Sequence, residues 1–211
     1  MKEFDQQPTD TLKDIKHLME RSSRFISLSG LSGIAAGICA LTGAWIAASI
    51  LNKFGENYFY EPFKSEASDW LVIQLAGLGI IVFVAAFILA YLFTYRRSRK
   101  LNLPVWDHTS RRLLWNLFIP IMAGGFFILG MLKQGEWRFI APACLIFYGL
   151  ALINGSKYTV SDIRYLGYFE IILGICNLYW PGEGLFFWAT GFGVLHIIYG
   201  AVMWWKYERK N

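Results

Sequence analysis

Residues 71–95 read LVIQLAGLGIIVFVAAFILAYLFTY, and this stretch decides the fold class. It contains no Asp, Glu, Lys, Arg or His, and the basic run RRSRK follows it at 96–100. A helix needs about 20 apolar residues to cross the roughly 30 Å hydrocarbon core of a bilayer, and a soluble core makes no such demand. The stretch therefore predicts a transmembrane helix.

The rest of the chain repeats this pattern of apolar blocks separated by short charged segments. Of the 211 residues, 55% are hydrophobic, whereas a soluble domain has about 45–50%. Six membrane spans are predicted, over Leu28–Leu51, Trp70–Tyr95, Leu113–Leu132, Trp137–Ile153, Ile163–Trp180 and Gly184–Trp205. Tryptophan and tyrosine lie near most of these ends, as in the aromatic belts of membrane proteins. The predicted fold class is an all-α membrane protein, with residues 27–211 as one six-helix transmembrane domain.

A polar segment, residues 1–26, precedes the first span. Within residues 9–26 the apolar side chains recur at spacings near three and four, while charged side chains occupy the other faces. This pattern predicts a cytoplasmic amphipathic helix. Such a helix lies on the membrane surface or against the bundle, or it docks a partner protein or a second copy of the chain. Because the segment is polar and mixed in charge, we expect no cleavable signal peptide.

The distribution of basic residues predicts the orientation of the spans. Sixteen of the 20 Lys and Arg residues fall in the N-terminal segment, the second and fourth loops and the C-terminal tail, and four fall on the other side. Loops rich in Lys and Arg stay in the cytoplasm, so both termini are predicted to be cytoplasmic. Since the basic residues flank membrane spans, the net charge of +5 does not indicate a nucleic-acid partner.

Small residues recur along the spans in a way that predicts three helical hairpins. Gly37, Gly124 and Gly174 occupy similar places in the first, third and fifth spans. Hairpins that all begin and end in the cytoplasm are related by an axis along the membrane normal, which predicts a pseudo-threefold repeat. The alternative is chance, because glycine is common in membrane helices. Small residues let helix backbones approach inside the bundle or between subunits of a homo-oligomer. The glycines expected to do so are Gly33, Gly37, Gly124, Gly130, Gly174, Gly193 and Gly200.

The second half of the chain carries a further pattern of glycines and one tight turn. The last hairpin contains Gly174, Pro181-Gly182, Gly191, Gly193 and Gly200, and the hairpin before it contains Gly124, Gly130 and Gly149. This pattern resembles the HdeD-type acid-resistance membrane proteins. The long first outer loop and the N-terminal helix depart from that compact family pattern. The resemblance implies a six-helix bacterial inner-membrane protein that is linked to stress tolerance and has no defined catalytic mechanism.

Two ionisable residues, Glu170 and His196, fall inside the predicted spans. Glu170 lies 12 residues before Gly182 in the turn of the last hairpin, and His196 lies 14 residues after it. At about 1.5 Å per residue, the two are expected within roughly 3 Å of the same depth. Ionisable groups in hydrocarbon are costly and mark candidate functional sites. A carboxylate beside an imidazole can relay a proton or act as a pH-sensitive switch.

Two plainer interpretations of Glu170 stay open. The pair can be a static hydrogen bond between helices. Alternatively, Glu170 is close enough to the cytoplasmic end of its helix to reach headgroups or water. Pro120 and Tyr148 stand at the matching positions of the preceding hairpin, so the site is expected to involve the last hairpin alone.

Motifs for catalysis are missing from the sequence. It contains no Gly-rich phosphate loop, no His-Glu-x-x-His and no Gly-x-Ser-x-Gly. Three scattered histidines argue against a haem or multi-histidine metal site, so neither a cofactor nor a metal is expected. The leading hypothesis is a non-enzymatic membrane protein of structural, stress-response or regulatory type, with the lipid bilayer as its surroundings.

A small proton-coupled transporter or channel that uses Glu170 and His196 is the alternative function. Transporters often contain broken helices. Pro120 and Pro142 are expected to bend their helices, and they are the only sequence sign of such breaks. An intramembrane enzyme is a third hypothesis, supported by little beyond the same ionisable pair.

Overall fold

The computed structural model describes residues 28–54 and 66–209, and helices make up most of this part of the chain. The helices are α1 (Gly30–Phe54), α2 (Glu66–Lys100), α3 (His108–Lys133), α4 (Ile140–Gly155), α5 (Ile163–Tyr179), α6 (Gly184–Trp188) and α7 (His196–Tyr207). Two 3-10 turns, Trp137–Phe139 and Pro181–Glu183, precede α4 and α6, and a π-helical segment, Ala189–Leu195, joins α6 to α7 without interruption. The predicted amphipathic helix at 9–26 and its docking role lie outside the described residues.

Helices long and apolar enough to cross a membrane dominate the described part of the chain. They are Gly30–Lys53, Trp70–Lys100, His108–Lys133, Trp137–Gly155 and Pro181–Tyr207. The prediction of an all-helical protein with several helices able to cross a membrane is confirmed for the described residues. The remaining helix, α5, has 17 residues, and at about 1.5 Å per residue its length is roughly 25 Å. Since the hydrocarbon core is about 30 Å thick, the crossing of α5 stays a prediction.

The outer surface of the bundle is apolar. Ile80, Ile81 and Phe83 on α2 and Phe126 on α3 each expose 60% or more of their surface. Soluble monomers rarely present contiguous apolar patches of this extent. Such a surface is compatible with contact with lipid.

Two pairs of helices approach each other at glycines. A Cβ added to Gly200 on α7 would lie 2.6 Å from the carbonyl oxygen of Gly30, at the start of α1. Gly149 on α4 and Gly167 on α5 face each other in the same way, with distances of 2.6 and 2.7 Å to the opposite carbonyl oxygen. A larger residue would force these backbones apart. Small residues thus set the α1–α7 and α4–α5 contacts, as is usual in membrane bundles.

The glycines that were expected to pack helices differ in their surroundings. At six of them an added Cβ would lie within 3.1 Å of another helix: Gly33, Gly37, Gly124, Gly174, Gly193 and Gly200. Gly130 is the exception, because a Cβ there would meet no atom of the described residues within 4 Å. Gly130 therefore does not pack against another described helix of the chain, and its packing between subunits stays a prediction. The side of α3 that meets α4 carries Gly124 against Phe147, and Gly130 is open.

The arrangement of helices departs from three equivalent hairpins. α1 packs on α2 and α3 packs on α4, but α5 packs mainly on α4, and α7 packs mainly on α1. In a closed threefold ring, α3 would also pack on α2. Gly77 and Gly79 on α2 and Gly125 on α3 have open space where a Cβ would be, so small residues do not close this third contact. The pseudo-threefold repeat stays a prediction.

Polar contacts fasten one end of the bundle, where α1 begins and where α2 and α7 end. Arg97 forms an ion pair with Glu208, with 3.0 Å between Nη1 and Oε1, and also donates to the carbonyl oxygen of Leu28. The Glu208 carboxylate accepts a further hydrogen bond from the amide of Gly30. The side chains of Arg97 and Glu208 are only 13% and 14% exposed. We call this end, which carries most of the Lys and Arg residues, the basic end.

The loop before α5 is fastened to the same end. Lys206 forms an ion pair with the carboxylate of Asp162, and the Tyr207 hydroxyl donates to the same Oδ2 atom at 3.1 Å. The hydrogen bond from Lys206 lowers the pKa of Asp162 below its ordinary value of 3.8. The start of α5 is thereby held to the end of α7.

Candidate functional site

Glu170 and His196 lie side by side between α5 and α7. Oε1 of Glu170 is 3.4 Å from Nδ1 of His196. The Glu170 side chain is fully buried and the His196 side chain is 8% exposed. Protein atoms surround Glu170, so the interpretation in which its carboxylate reaches headgroups or water is wrong. The proton-handling role of the pair stays a prediction.

Two hydrogen bonds hold the His196 ring. Nδ1 lies 3.0 Å from the carbonyl oxygen of Gly191, and because a carbonyl oxygen only accepts, Nδ1 carries a hydrogen and donates it. Nε2 lies 2.9 Å from the hydroxyl of Tyr148. In neutral His196, Nε2 is the acceptor and the Tyr148 hydroxyl donates. When His196 is doubly protonated, Nε2 donates to the hydroxyl oxygen, so the same contacts accommodate both states.

Tyr148 brings a third helix, α4, into the site. Its ring stacks on His196, with centroids 5.4 Å apart, and it also packs against Phe192 at 5.1 Å. The expectation that the site involves the last hairpin alone is therefore wrong. Tyr148 lies 13 residues after Gly135 in the preceding turn, nearly the depth of His196. The alignment of the two hairpins places Tyr148 at this depth, but depth alone does not show that its side chain faces the last hairpin.

The Glu170 carboxyl occupies a tight space without a hydrogen-bond partner. Neither of its oxygens has one among the described residues. A Cβ on Gly191 would lie 2.5 Å from Oε2 of Glu170 and 2.4 Å from Cδ2 of Leu145, so Gly191 is the residue that leaves room for the carboxyl. An isolated charge here would be costly. Glu170 is therefore either protonated or paired with a protonated His196, and both states have no net charge.

The π-helical segment Ala189–Leu195 shapes this space. It ends immediately before His196, and it contains the buried Gly191 and Gly193. Gly191 faces Glu170 and supplies the carbonyl oxygen that His196 uses, while Gly193 packs on Leu41 of α1. Short π segments within α-helices are rare and frequently lie at functional sites. The glycines in the sequence predicted close packing but not the wider helix.

Other in-span polar groups make local or structural contacts. Asn154 on α4 donates to the side-chain oxygen of Asn116 on α3 at 3.1 Å, and Asn177 donates to the carbonyl oxygen of Trp180 at 2.9 Å. Over residues 28–54 and 66–209, no group of three or more His, Cys, Asp and Glu residues is placed to hold a metal ion. The candidate site thus consists of one carboxyl, one imidazole and one phenol.

Comparison with known proteins identifies no relative of this chain. No protein-family model, no curated protein and no solved structure matches it. The resemblance to HdeD-type proteins therefore stays a prediction from the glycine pattern. Function has to be inferred from the site.

Proposed function

We propose that this chain is a non-enzymatic, multi-pass membrane protein of structural, stress-response or regulatory type. In this proposal it resides in a bacterial inner membrane with the basic end and both termini in the cytoplasm. Glu170, His196 and Tyr148 form a buried polar cluster that holds α5, α7 and α4 together. The observation that carries the proposal is the closure of this site, since Glu170 is fully buried.

The closure of the site favours a structural contact between helices over an open proton pathway. Intramembrane ionisable residues of pumps and transporters face a water-filled cavity or a proton relay. Here Leu145, the Gly191 backbone and the His196 ring cover the Glu170 carboxyl. Hydrogen bonds between membrane helices contribute about 0.6 kcal/mol on average and up to about 1.7 kcal/mol. In this cluster the Tyr148–His196 hydrogen bond joins α4 to α7, and the Glu170 carboxyl of α5 lies 3.4 Å from Nδ1 of the same ring, so the contacts favour one arrangement of the three helices.

The stress-response form of the proposal is supported by the chemistry of the pair. Histidine changes its charge near neutral pH, and the HdeD-type resemblance points to acid resistance. A bundle fastened at a carboxyl–imidazole pair is suited to a change of packing when the pH changes. Further partners proposed here are a second copy of the chain and a membrane or cytoplasmic protein that binds residues 9–26.

The second candidate function is a small proton-coupled transporter or channel. Two observations favour it: both Glu170 oxygens are without a partner among the described residues, and the π segment interrupts the regular helix beside them. The prolines give it less support than expected. Pro142 lies in the first turn of α4, where helix amides have no intrahelical acceptor, so it breaks no span. Only Pro120 lies inside a helix.

Proton flux into proteoliposomes separates the two functions. With an imposed pH gradient and a trapped pH-sensitive dye, we expect the wild-type protein to acidify the lumen no faster than protein-free vesicles. Flux that Glu170→Gln abolishes and that Glu183→Gln retains would overturn the structural proposal and establish the transporter. Glu183 is a suitable control because it lies exposed in the turn before α6.

A further inference from the structure

Five cations at the basic end have no acidic partner in the described part of the chain. Three of them end α2 and two begin α3, and all five are exposed: Arg96, Arg99, Lys100, Arg111 and Arg112. Within residues 28–54 and 66–209 none of the five forms an ion pair. By contrast, Arg97 and Lys206 at the same end are paired with carboxylates. The five cations are thus free to bind an anion from outside the bundle.

A short, ordered loop keeps the two groups of cations close together. Asn102 follows α2 with a positive φ of 52°, and the amide of Leu103 donates to the carbonyl oxygen of Ser98 at 3.0 Å. Asp107 caps α3, since its carboxylate accepts from the amide of Ser110 at 2.7 Å. From Leu103 to Asp107 the chain spans at most about 14 Å. The only acidic residue of 96–112 is therefore engaged by its own helix, and both groups of cations border one patch.

An exposed apolar stripe on α2 leads from these cations into the membrane region. Ile81, Ile88 and Leu92 precede Arg96 and Arg99 at spacings of seven, four, four and three, which places all five on one side of the helix. The three apolar side chains are exposed. We call them the α2 stripe.

α3 carries a stripe of the same kind. Trp115, Phe118 and Met122 follow Arg111 at spacings of four, three and four, and all three are exposed. We call them the α3 stripe. It continues into a shallow groove of about 280 Å³ that is lined by Met122, Gly125, Phe126, Ile128 and Leu129. The groove begins about 16 Å from Arg111 along the helix axis, which is close to half the thickness of the hydrocarbon core.

No described helix covers either stripe. α2 packs on α1 and α3 packs on α4, but α2 and α3 do not pack closely on each other. Glycines on both helices, Gly79 and Gly125, have open space beside them. Each helix thus presents cations at the level of the headgroups and, below them, an apolar track about as long as one leaflet is thick.

We propose that this part of the basic end binds an anionic phospholipid, with its phosphate between the two groups of cations and its acyl chains along the α2 and α3 stripes. Basic pockets between transmembrane helices bind anionic headgroups in this manner. A zwitterionic headgroup brings its own cation, which the five cations would repel. A second copy of the chain would bring the same cations, and residues 1–26 contain five basic and five acidic residues. An anionic lipid is therefore the occupant that matches both the charge and the apolar stripes.

This inference rests on the proposed residence in a membrane and not on the choice between the two candidate functions. A lipid bound beside α2 and α3 is compatible with a structural protein and with a transporter. A chain that stays monodisperse without detergent and does not enter vesicles would overturn the proposed residence. A chain that enters vesicles without preference for anionic lipid would overturn this inference alone.

Quenching of Trp115 by lipids with brominated acyl chains tests the proposal. The full-length protein is reconstituted into phosphatidylcholine vesicles that contain a small fraction of brominated phosphatidylglycerol or, in parallel, of brominated phosphatidylcholine. The emission of Trp115 is the part that Trp115→Phe removes. We expect phosphatidylglycerol to be enriched at Trp115 about fivefold or more over phosphatidylcholine. Trp45, which is 73% exposed on α1, is the internal control and should show no preference.

Charge variants show whether the enrichment depends on these cations. We expect the double variant Arg96→Gln, Arg111→Gln to lower the enrichment at Trp115 to the level of phosphatidylcholine. Both side chains are exposed and without an ion pair among the described residues, so the folded structure should tolerate their loss. Lys157→Gln removes an exposed cation from another loop of the basic end and should keep the enrichment of the wild type.

Three results would overturn the lipid assignment. Equal quenching of Trp115 by the two lipids would mean unselective contact with the bilayer, and quenching by neither would mean that a second copy or residues 1–26 cover the α3 stripe. Loss of the preference in excess inorganic phosphate at constant ionic strength would assign the cations to a free anion. If Trp115→Phe does not fold, mass spectra of the intact wild-type protein released from vesicles with equal amounts of the two lipids replace quenching. Retention of both lipids in equal amounts would then reject the proposal.

Discussion

Gly191 is the residue on which the geometry of the buried site depends most closely. It faces Glu170 and Leu145, both fully buried, and leaves no space for a methyl group. We expect Gly191→Ala to lower the free energy of unfolding by about 1–3 kcal/mol, the usual cost of overpacking a core. Reversible unfolding in mixed detergent micelles measures it.

Gly184→Ala is the matched control for that experiment. A Cβ at Gly184 would make an ordinary contact, 3.4 Å from the Cβ of Ala141. Its effect should stay within about 0.5 kcal/mol, as for substitutions that create no clash. Equal stability of the two variants would show that the Glu170 carboxyl is not confined as described here.

The proximity of Glu170 and His196 could be predicted from the sequence, because the helical rise per residue converts residue number into depth. The hydrogen-bond partners of His196 could not be predicted in this way, since depth does not say which side of a helix faces which neighbour. Tyr148 belongs to another hairpin. The Gly191 carbonyl oxygen that accepts from His196 lies in the π-helical segment. Both depend on tertiary packing that one sequence does not display.

At the scale of helices, the close contacts at glycines should dominate stability. We expect Gly149→Ala and Gly200→Ala to lower the free energy of unfolding by about 1–3 kcal/mol each, because an added Cβ would press on the backbone of another helix. Gly79→Ala and Gly125→Ala should be neutral or stabilising by up to about 1 kcal/mol, since alanine favours helix and their surroundings are open. The same micelle unfolding assay compares the four variants.

Those open-face variants also test the arrangement of helices. Strong destabilisation by Gly79→Ala and Gly125→Ala in dilute micelles would mean that α2 and α3 pack together within the monomer. That result would contradict the open contact described here and would favour the closed pseudo-threefold ring.

The contact between Asp162 and Lys206 gives the fastening of α5 a defined pH dependence. The hydrogen bond from Lys206 lowers the pKa of Asp162 from 3.8 in the folded protein. The stabilisation is fully present above pH 3.8 and is lost as the pH falls through the lowered folded value. We expect Lys206→Met to be slightly less stable than wild type at neutral pH, with a difference that shrinks at acid pH.

Unfolding measured between pH 7 and pH 2 checks this dependence. Lys157→Met is the control, because Lys157 is exposed in the same loop and forms no ion pair with Asp162. A stability difference for Lys206→Met that is constant across this range would contradict the assignment.

Helix bounds were the most predictable feature of the elements, because apolar length is set by the bilayer. α3 begins at His108 and ends at Lys133, close to the predicted Leu113–Leu132, and α5 begins at Ile163 as predicted. Pro142 was misjudged, since its effect depends on its place within the helix. The π segment has no distinctive local pattern, because the wider turn depends on neighbouring helices.

The whole molecule is a bundle with an apolar outer surface and with polar contacts at its basic end. We propose that all six predicted spans cross the membrane, including the span formed by the short α5. A crossing by α5 places the Glu170–His196 pair inside the hydrocarbon layer. If α5 entered and left the membrane on the same side, the pair would not lie at that depth.

The most direct test is the accessibility of single cysteines on the two sides of α5. In a variant without Cys39, Cys144 and Cys176, single cysteines replace the exposed Lys157 and Glu183, and intact cells and inverted vesicles are treated with a membrane-impermeant thiol reagent. We expect Glu183→Cys to react only in intact cells and Lys157→Cys to react only in inverted vesicles. Reaction of both cysteines from the same side would show that α5 does not cross the membrane.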